Sequence, residues 1–569
     1  MSATHSTYGG TPPMRALRLA PIVFTLALFA CHRRSDVWTK PATIQATYGM
    51  SDAVAFVDDG AHRVVFAAPT AAHDLTTTFA PIGRNVVASA VSKDRSTVFV
   101  LSSGDQPRKS DEDALPSLDV VTRPPGGEPT TRSFSLAAPL SGMTLDPLGR
   151  YVALHASTTA TTTAASASRP FVENPNEVVI VDLTASGDAA LPVSRTLRSF
   201  GGRPQRFTFT PVLALPGGPR RLLVVETSED VSLVDLDHLH DATARPEITV
   251  RLGSGSTSKV LKPSGLVVDD GDPARTDDAR IAIRSSADSS VVTLTLGPAT
   301  APAAGTTPPP NPNDFSPVVN LVDVGGVATD LAFVRTDGGL RIAAIVPSAA
   351  SAMLIEPDTG LTQKVAMPAA YQSVSLITQS LTTTPGADVA LLYGGSASSQ
   401  GVAFWSLGKT AGQPYRAVEV IGVGGDVESV IDVPPPRPEL KILKLRATTT
   451  TTPSFAVLNL RDRTAAPLLA SASSSSVDLV VSPDGERAWA YQRGATNLAS
   501  IALADIHPTP IVVERGVDAV YDVAAEGSGD RALVAVHLKG SGGLTVFDAK
   551  RPDGATGVAH AGLLLEGLP

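Results

Sequence analysis

The feature that most constrains this chain is a short unit recurring along its length: an apolar strand, a tight turn rich in Asp, Gly or Pro, and a second apolar strand. Such a unit cannot bury its apolar face alone, so copies must stack on one another and the architecture must be repetitive. The clearest copy spans residues 479–491, where Leu479-Val480-Val481 leads into Ser482-Pro483-Asp484-Gly485 and Ala488-Trp489-Ala490-Tyr491 leads out. Pro pre-sets φ, Asp caps the turn with its side chain, and Gly accepts positive φ. Related copies surround Asp58-Asp59-Gly60, Lys93-Asp94, Asp146-Pro147-Leu148-Gly149 and Asp337-Gly338-Gly339. Looser ones surround Pro216-Gly217-Gly218, Asp277-Asp278, Pro385-Gly386, Pro435-Pro436 and Gly527-Ser528-Gly529. A second element, an apolar strand closing on an acidic or amide residue, recurs with its terminal residue at Asp182, Asp235, Glu356, Asn459 and Asp548.

Strand signals run throughout, and no long window shows helical periodicity with caps; the nearest helical candidate, 235–244, is short and ends at Arg245-Pro246. The chain therefore reads as all-β. The order strand, turn, strand, loop, strand ending in Asp, further strand is the layout of a propeller blade, with units at roughly 45 to 65 residues. The Ser-Pro-Asp-Gly turn and the Val-Asp-Leu strand ends resemble bacterial YVTN and WD40-like propeller repeats over most of 54–546, although no Trp-Asp dipeptide occurs. The resemblance implies a β-propeller and leaves function open, because such folds host binding modules, lactonases and quinoprotein-like enzymes alike. About ten turn units are visible, but propellers typically have four to eight blades, so the expectation is one ring of about eight, in a range of seven to ten. The strand near 44–48 is expected to complete the last blade. The Pro-rich stretch at 308–312 does not divide the body, because an ordinary strand follows at 318–324.

The start of the chain carries a different signal. Arg15 and Arg18 form a basic region, residues 19–29 an apolar run, and Leu28-Phe29-Ala30-Cys31 resembles the lipobox of bacterial lipoproteins. The run is too short to span a membrane, which needs about 20 apolar residues. The expected organisation is a signal peptide over 1–30, with initiation at Met14 an alternative start, a tether over 31–43, and a propeller body over 44–569. The resemblance implies that the Cys31 thiol becomes diacylated, palmitate-type modification that anchors the mature chain. Phe29 departs from the small residue usual at its position. With His32 rather than Asp after the cysteine, a host with two membranes would send the protein to the outer one, placing it in the cell envelope.

Composition agrees with a folded extracytoplasmic body: 43% of residues are hydrophobic and 18% charged. The net charge of −9 opposes nucleic-acid binding, which requires clustered Lys and Arg. One cysteine, assigned to lipid, leaves no intramolecular disulfide. The Thr-, Ala- and Pro-rich stretches 157–168, 299–313 and 448–452 read as solvated loops.

Candidate chemistry is sparse. Asp269-Asp270-Gly271-Asp272 with Asp277-Asp278 offers oxygen ligands for calcium but lacks EF-hand spacing, and a solvated hairpin between 266–268 and 281–283 is the simpler reading. His238 and His240 would share a face on a strand and begin a metal site with no evident third ligand. His155 and His537 end apolar strands, where structural hydrogen bonding is expected. Asp182, Asp235 and Asp548 read as turn-bonding residues. No Gly-x-Ser-x-Gly occurs; Gly394-Gly395-Ser396 does not complete it, and Gly422-Val423-Gly424-Gly425 lacks the third glycine and helix of a dinucleotide site. Aromatic residues make up 5%, with tryptophan only at Trp38, Trp405 and Trp489, which disfavours an aromatic-walled site; Trp489 is expected in the core and Trp38 at the lipid interface. No catalytic, metal or cofactor residues are assigned. The expected function is a lipid-anchored protein-binding or scaffold module with an envelope protein as partner, against the alternative of a periplasmic lactonase- or quinoprotein-like enzyme.

Overall fold

The computed structural model describes residues 42–561 apart from positions 73, 108 and 514 and segments 157–173, 199–201, 242–245, 253–260, 300–313, 378–387, 396–400, 409–416, 447–453, 471–476, 526–530, 538–542 and 550–558. The expected signal peptide, Cys31 and Trp38 lie outside these residues, as do the 157–168 and 448–452 stretches and nearly all of 299–313. Among the described residues, ten four-stranded antiparallel sheets follow one another along the chain, with strands in sequence order inside each sheet. They form blades 1 to 10, at 44–81, 86–135, 142–196, 204–251, 263–323, 330–366, 373–422, 427–470, 477–512 and 519–561. A two-stranded hairpin, Leu213–Leu215 with Gly218–Arg220, is inserted between the first and second strands of blade 4. Helical turns among the described residues are limited to Gly187–Ala190 and Pro347–Ala349. Of the 235–244 candidate, Asp235 ends a strand and 236–241 are bend, turn and loop, while 242–244 lie outside the described residues.

The blade pattern follows from burial. Second and third strands are the most deeply buried, Val54–Asp58 and Arg63–Pro69 at every position, and are largely apolar, as strands covered on both faces must be. First strands, such as Val86–Val91, are half-exposed around the ring centre, and fourth strands alternate along the rim. Each pair of neighbouring blades shares one cluster of buried aliphatic and aromatic side chains. Blades 1 and 2 share Phe66, Val98 and Val121; blades 6 and 7 share Ile345, Leu392 and Trp405; blades 9 and 10 share Trp489, Leu498 and Leu533. Trp405 and Trp489 are fully buried, the latter as expected. Ten stacked sheets have nine internal interfaces, yet a tenth cluster joins Val54, Phe56 and Val65 of blade 1 to Val523, Val534 and Val546 of blade 10. That tenth cluster closes the ring.

Ten blades lie at the upper end of the expected range of seven to ten, above the favoured eight. The turns counted in the sequence were one per blade, and the usual blade number was the poorer guide. In blade 1 the counted turn, Asp58-Asp59-Gly60, joins the second and third strands, whereas the others fall between first and second strands; those at 385–386 and 527–529 lie outside the described residues and are placed only by the strands flanking them in the chain. The strands ending at Asp182, Asp235, Glu356, Asn459 and Asp548 are all third strands. The expected sharing of strand 44–48 with the last blade is also overturned. Ile44–Gly49 pairs with Val54–Asp58 inside blade 1, and blade 10 takes its fourth strand, Ala559–Ala561, from the C-terminal side. The physical reason is that face packing closes the seam, aided by the Tyr521 hydroxyl donating to Thr47 O (3.1 Å) and the Ala524 amide to Ser51 O (2.9 Å).

Local turn chemistry repeats too. Ser482 Oγ accepts from the Arg487 amide, Asp484 accepts from the Glu486 amide, and Gly485 takes φ +65°, a conformation that other side chains resist. Ser92 and Asp94 make the same bonds to the Thr97 and Ser96 amides. In blade 3, Asp146 accepts from the Leu148 and Arg150 amides.

Buried ion pairs cross between blades. Arg123 of blade 2 reaches Asp52 of blade 1. Arg221 of blade 4 donates two hydrogen bonds, at 2.6 and 2.5 Å, to Asp146 of blade 3, whose side chain is fully buried. Burial pushes the Asp146 carboxyl up, but the Arg221 guanidinium and the two turn amides outweigh it and hold it below the usual carboxylate range. A depressed folded pKa means that this stabilisation is present above the unfolded value, near pH 4, and lost as pH falls through the folded one.

Two outcomes follow for chemical denaturation. Phe56→Ala in the closing seam should cost about 3–5 kcal/mol, as for any buried aromatic; a cost near zero would mean that the ring is open there. Arg221→Met, which strands a buried carboxylate, should cost about 3–5 kcal/mol at pH 7, with the difference from the parent shrinking below pH 4; a pH-independent difference would contradict the ion-pair account.

Candidate functional site

First strands of all blades run in the same sense, so the turns following them gather on one face of the ring and their starting ends on the other. Each face carries a candidate site.

On the turn face, a cleft of about 910 Å³ opens between blades 2 and 3. The strands on its two sides differ in length. Blade 2 is built of four six-residue strands, whereas the first and fourth strands of blade 3, Gly142–Leu145 and Val193–Thr196, have four residues each. The cleft runs radially, from Val91 and Leu145 on first strands to Thr130 and Arg132 on the fourth strand of blade 2. Along it Thr97, Thr122 and Thr130 are paired side by side on three successive strands, with Thr97 Oγ and Thr122 Oγ 3.2 Å apart. Neighbouring strands lie about 4.8 Å apart, so these hydroxyls form a regular row. Each can still donate or accept one more bond. Leu148, 66% exposed, stands on the wall as an apolar contact. Asp94 is held below the usual carboxylate range chiefly by the Ser92 hydroxyl. Arg132 is committed to Leu183 O and Ala185 O, both at 2.8 Å. The cleft can therefore offer neutral hydrogen bonds, the exposed charges of Lys93 and Asp94 at its turn end, and modest apolar contact along an extended ligand.

On the opposite face, blades 4, 5 and 6 bring together Arg206, Glu226, Arg284 and Asp330. Register sets this grouping: Arg206 pairs with Glu226, and Gly265 with Arg284. Gly265 leaves the room they use, since a β-carbon there would sit 2.9 Å from Arg284 Nε and 3.1 Å from Arg206 Nη1. Glu226 is 1% exposed, and neither carboxylate oxygen has a hydrogen-bond partner among the described residues; Arg206 Nη1 approaches to 4.0 Å. Burial pushes the Glu226 carboxyl up, only partly offset by the Arg206 and Arg284 guanidiniums and by the nearby Gly265 amide, which forms no close hydrogen bond to it. Asp330 is likewise raised by burial while accepting from the Val374 and Leu331 amides. A buried acid with a raised pKa is where general acid chemistry is usually found, although structural networks also produce it.

Sequence-derived candidates fall elsewhere. Asp269 to Asp278 forms the hairpin end between Pro263–Asp269 and Ala279–Ser285, with Leu266 opposite Ile283; Asp278 accepts from the Asp272 amide and Arg275 pairs with Asp277. Among the described residues no three His, Cys, Asp or Glu side chains group as metal ligands. His238 and His240 lie in a turn after a third strand and so do not share a strand face, which corrects that expectation; His238 is 2.8 Å from Asp235. His155 ends a second strand, stacks on Phe207 at 4.0 Å, contacts Ala156 O at 2.8 Å, and is pushed down by burial. His537 also ends a second strand. Asp182 and Asp235 accept from the Thr184 and Asp237 amides in the following turns. Glu226 escaped notice, although a Glu within the apolar run Leu222–Thr227 was a legible oddity; the cleft had no local signal.

Glu226 yields an expected pH effect. A raised folded pKa destabilises the fold above it, so Glu226→Gln should raise the melting temperature at pH 8, with the gain vanishing as pH falls to about 4, where the unfolded acid protonates too. A gain that persists at pH 4 would show that charge is not the cause.

No family model and no curated relative matches the chain. Similar solved structures include dihydro-heme d1 dehydrogenase NirN (12% identity, TM-score 0.40, covering 70% of this chain and 72% of that one) and a eukaryotic initiation factor (8%, 0.40, 90% and 95%). A functionally unknown protein from Desulfotomaculum acetoxidans matches at 10% identity and TM-score 0.29, covering 59% of this chain and 96% of its own. At these values the likeness concerns fold alone, and the ten sheets with their ten interfaces carry the identification as a β-propeller.

Proposed function

We propose that this chain is a lipid-anchored cell-envelope propeller that binds another envelope protein through the cleft between blades 2 and 3 and performs no chemistry of its own. The observation that carries this reading is the cleft's lining: a row of neutral hydroxyls beside exposed Leu148, open from ring centre to rim. Such a surface suits an extended polypeptide, whose amides need hydrogen bonds and whose side chains need modest apolar contact.

The anchor reading rests on Cys31 in its lipobox-like setting. A diacylated cysteine holds a protein stably, because each buried methylene contributes about 0.8 kcal/mol. Residues 31–43 would then form a tether of at most about 45 Å. The first described strand begins at Ile44, on the face opposite the cleft. A tether entering there leaves the cleft directed away from the anchoring membrane, the outer one in a host that has two.

A second reading is favoured by Glu226 alone: a propeller enzyme using the face of blades 4 to 6, with the acid transferring a proton beside Arg206 and Arg284.

The proposal is tested in cells. Cys31→Ser should move the protein from the membrane to the soluble fraction; unchanged attachment refutes the anchor. A photocrosslinking residue at Leu148 should give a discrete protein adduct that the same group at Val512, exposed on the rim of blade 9, does not; identical patterns would remove the cleft from the function.

A further inference from the structure

Two cations line the cleft between blades 2 and 3, and among the described residues neither is matched by a carboxylate. Arg132 stands at the rim end. It alternates with Thr130 and Phe134 along one face of the fourth strand of blade 2, and Phe134 packs in the core shared with blade 3. Its guanidinium lies 4.6 Å from the centre of the Phe134 ring and crosses to blade 3, where it donates to Leu183 O and Ala185 O. Those neutral carbonyls use two of its five N–H donors, so the head is held in place with its charge uncompensated and donors to spare. Lys93 stands at the inner end, exposed in the turn between the first and second strands of blade 2. The two carboxylates of the lining are already engaged. Asp146 is buried under Arg221, and Asp94 is tied into its own turn by the Ser92 hydroxyl and by the amide and hydroxyl of Ser96. With Arg221 set against Asp146, the cleft keeps two cations to one anion, on a chain whose net charge is −9.

We propose that the ligand of this cleft is an extended acidic segment of the partner protein, with one carboxylate on Arg132, a second on Lys93 and an apolar side chain against Leu148. This rests on the reading of the cleft as a polypeptide site. Charge-assisted hydrogen bonds are about twice as strong as neutral ones, so a carboxylate finds in Arg132 an oriented donor that the two carbonyls do not exhaust. From the end of the first strand to the fourth is three strand spacings, roughly 14 Å, which an extended chain covers in about four residues. Residues four apart in such a chain project to the same side, so the motif is a pair of Asp or Glu residues at i and i+4. An acidic polysaccharide suits the lining less well. Phe99 and Tyr151, its aromatic residues, are buried and offer no ring for a sugar to stack on, whereas Leu148 is open to an apolar side chain.

The test is selection of random peptides displayed on phage against the immobilised full chain, with Thr122→Trp, which fills the cleft, identifying the peptides that need it. Those peptides should carry acidic residues four apart. Arg132→Gln and Lys93→Gln should each weaken the best of them by about fivefold, as expected for an exposed ion pair. Arg132→Glu should turn the selection toward Lys and Arg at the matching position, a reversal that a merely structural role for Arg132 would not produce. Peptides that need the cleft but show no acidic preference, or one indifferent to these substitutions, overturn the proposal and leave the polypeptide reading standing. No peptide sensitive to Thr122→Trp overturns that reading and the proposal with it. Polygalacturonate retained by the parent and released by Arg132→Gln, with no peptide selected, would assign the cleft to an acidic glycan and overturn both.

Discussion

Everything in this molecule depends on each sheet having a neighbour on both faces. A four-stranded antiparallel sheet whose middle strands bury apolar side chains on both faces has no solvent-compatible side, so a row of ten such sheets would leave two apolar faces bare. The packing of Val54, Phe56 and Val65 on Val523, Val534 and Val546 removes those two faces at once. Among the described residues no strand crosses the seam, so closure there rests on side-chain packing, with hydrogen bonds from Tyr521 and Ala524, rather than on a shared sheet.

The same requirement explains why sites appear where they do. The cleft lies where the turn after the first strand of blade 2 meets that of blade 3, with Asp94 and Thr97 on one side and Asp146 and Leu148 on the other. On the opposite face, pairing registers bring charges from three blades to one place, where Gly265 leaves room for two guanidiniums and Glu226 stays buried between them. Inter-blade ion pairs such as Arg221 with Asp146 add orientation to packing that is otherwise non-directional.

Much of the fold was legible because its signals are local. Ser482-Pro483-Asp484-Gly485 announces its own turn, and the strand ends at Asp182 and Asp235 announce the third strand of a blade. Each turn stood for one blade, so the tally of ten already held the count that a prior about ring size reduced to eight. What could not be read was whatever depends on pairing partners. Strand 44–48 carries no mark saying which blade it joins, and His238 and His240 look like strand residues until the turn after Asp235 is seen. Arg206, Glu226 and Arg284 lie 78 positions apart from first to last and meet only through register. The cleft is lined from two blades at once, from Val91 to Leu183, so no single stretch of sequence marks it.

The unshared seam also fixes when the ring can form. Phe56 and its neighbours are made early, while their partners around Val534 lie almost 500 positions later. At synthesis rates of about 5–20 residues per second, blade 1 waits on the order of half a minute or more before blade 10 exists to cover it. Through that interval its outer face is an uncovered patch of valine and phenylalanine. Unlike a ring whose first strand is held in reserve for the last sheet, this one begins as a complete blade with one side exposed, and the newborn chain needs that side shielded until its own far end arrives.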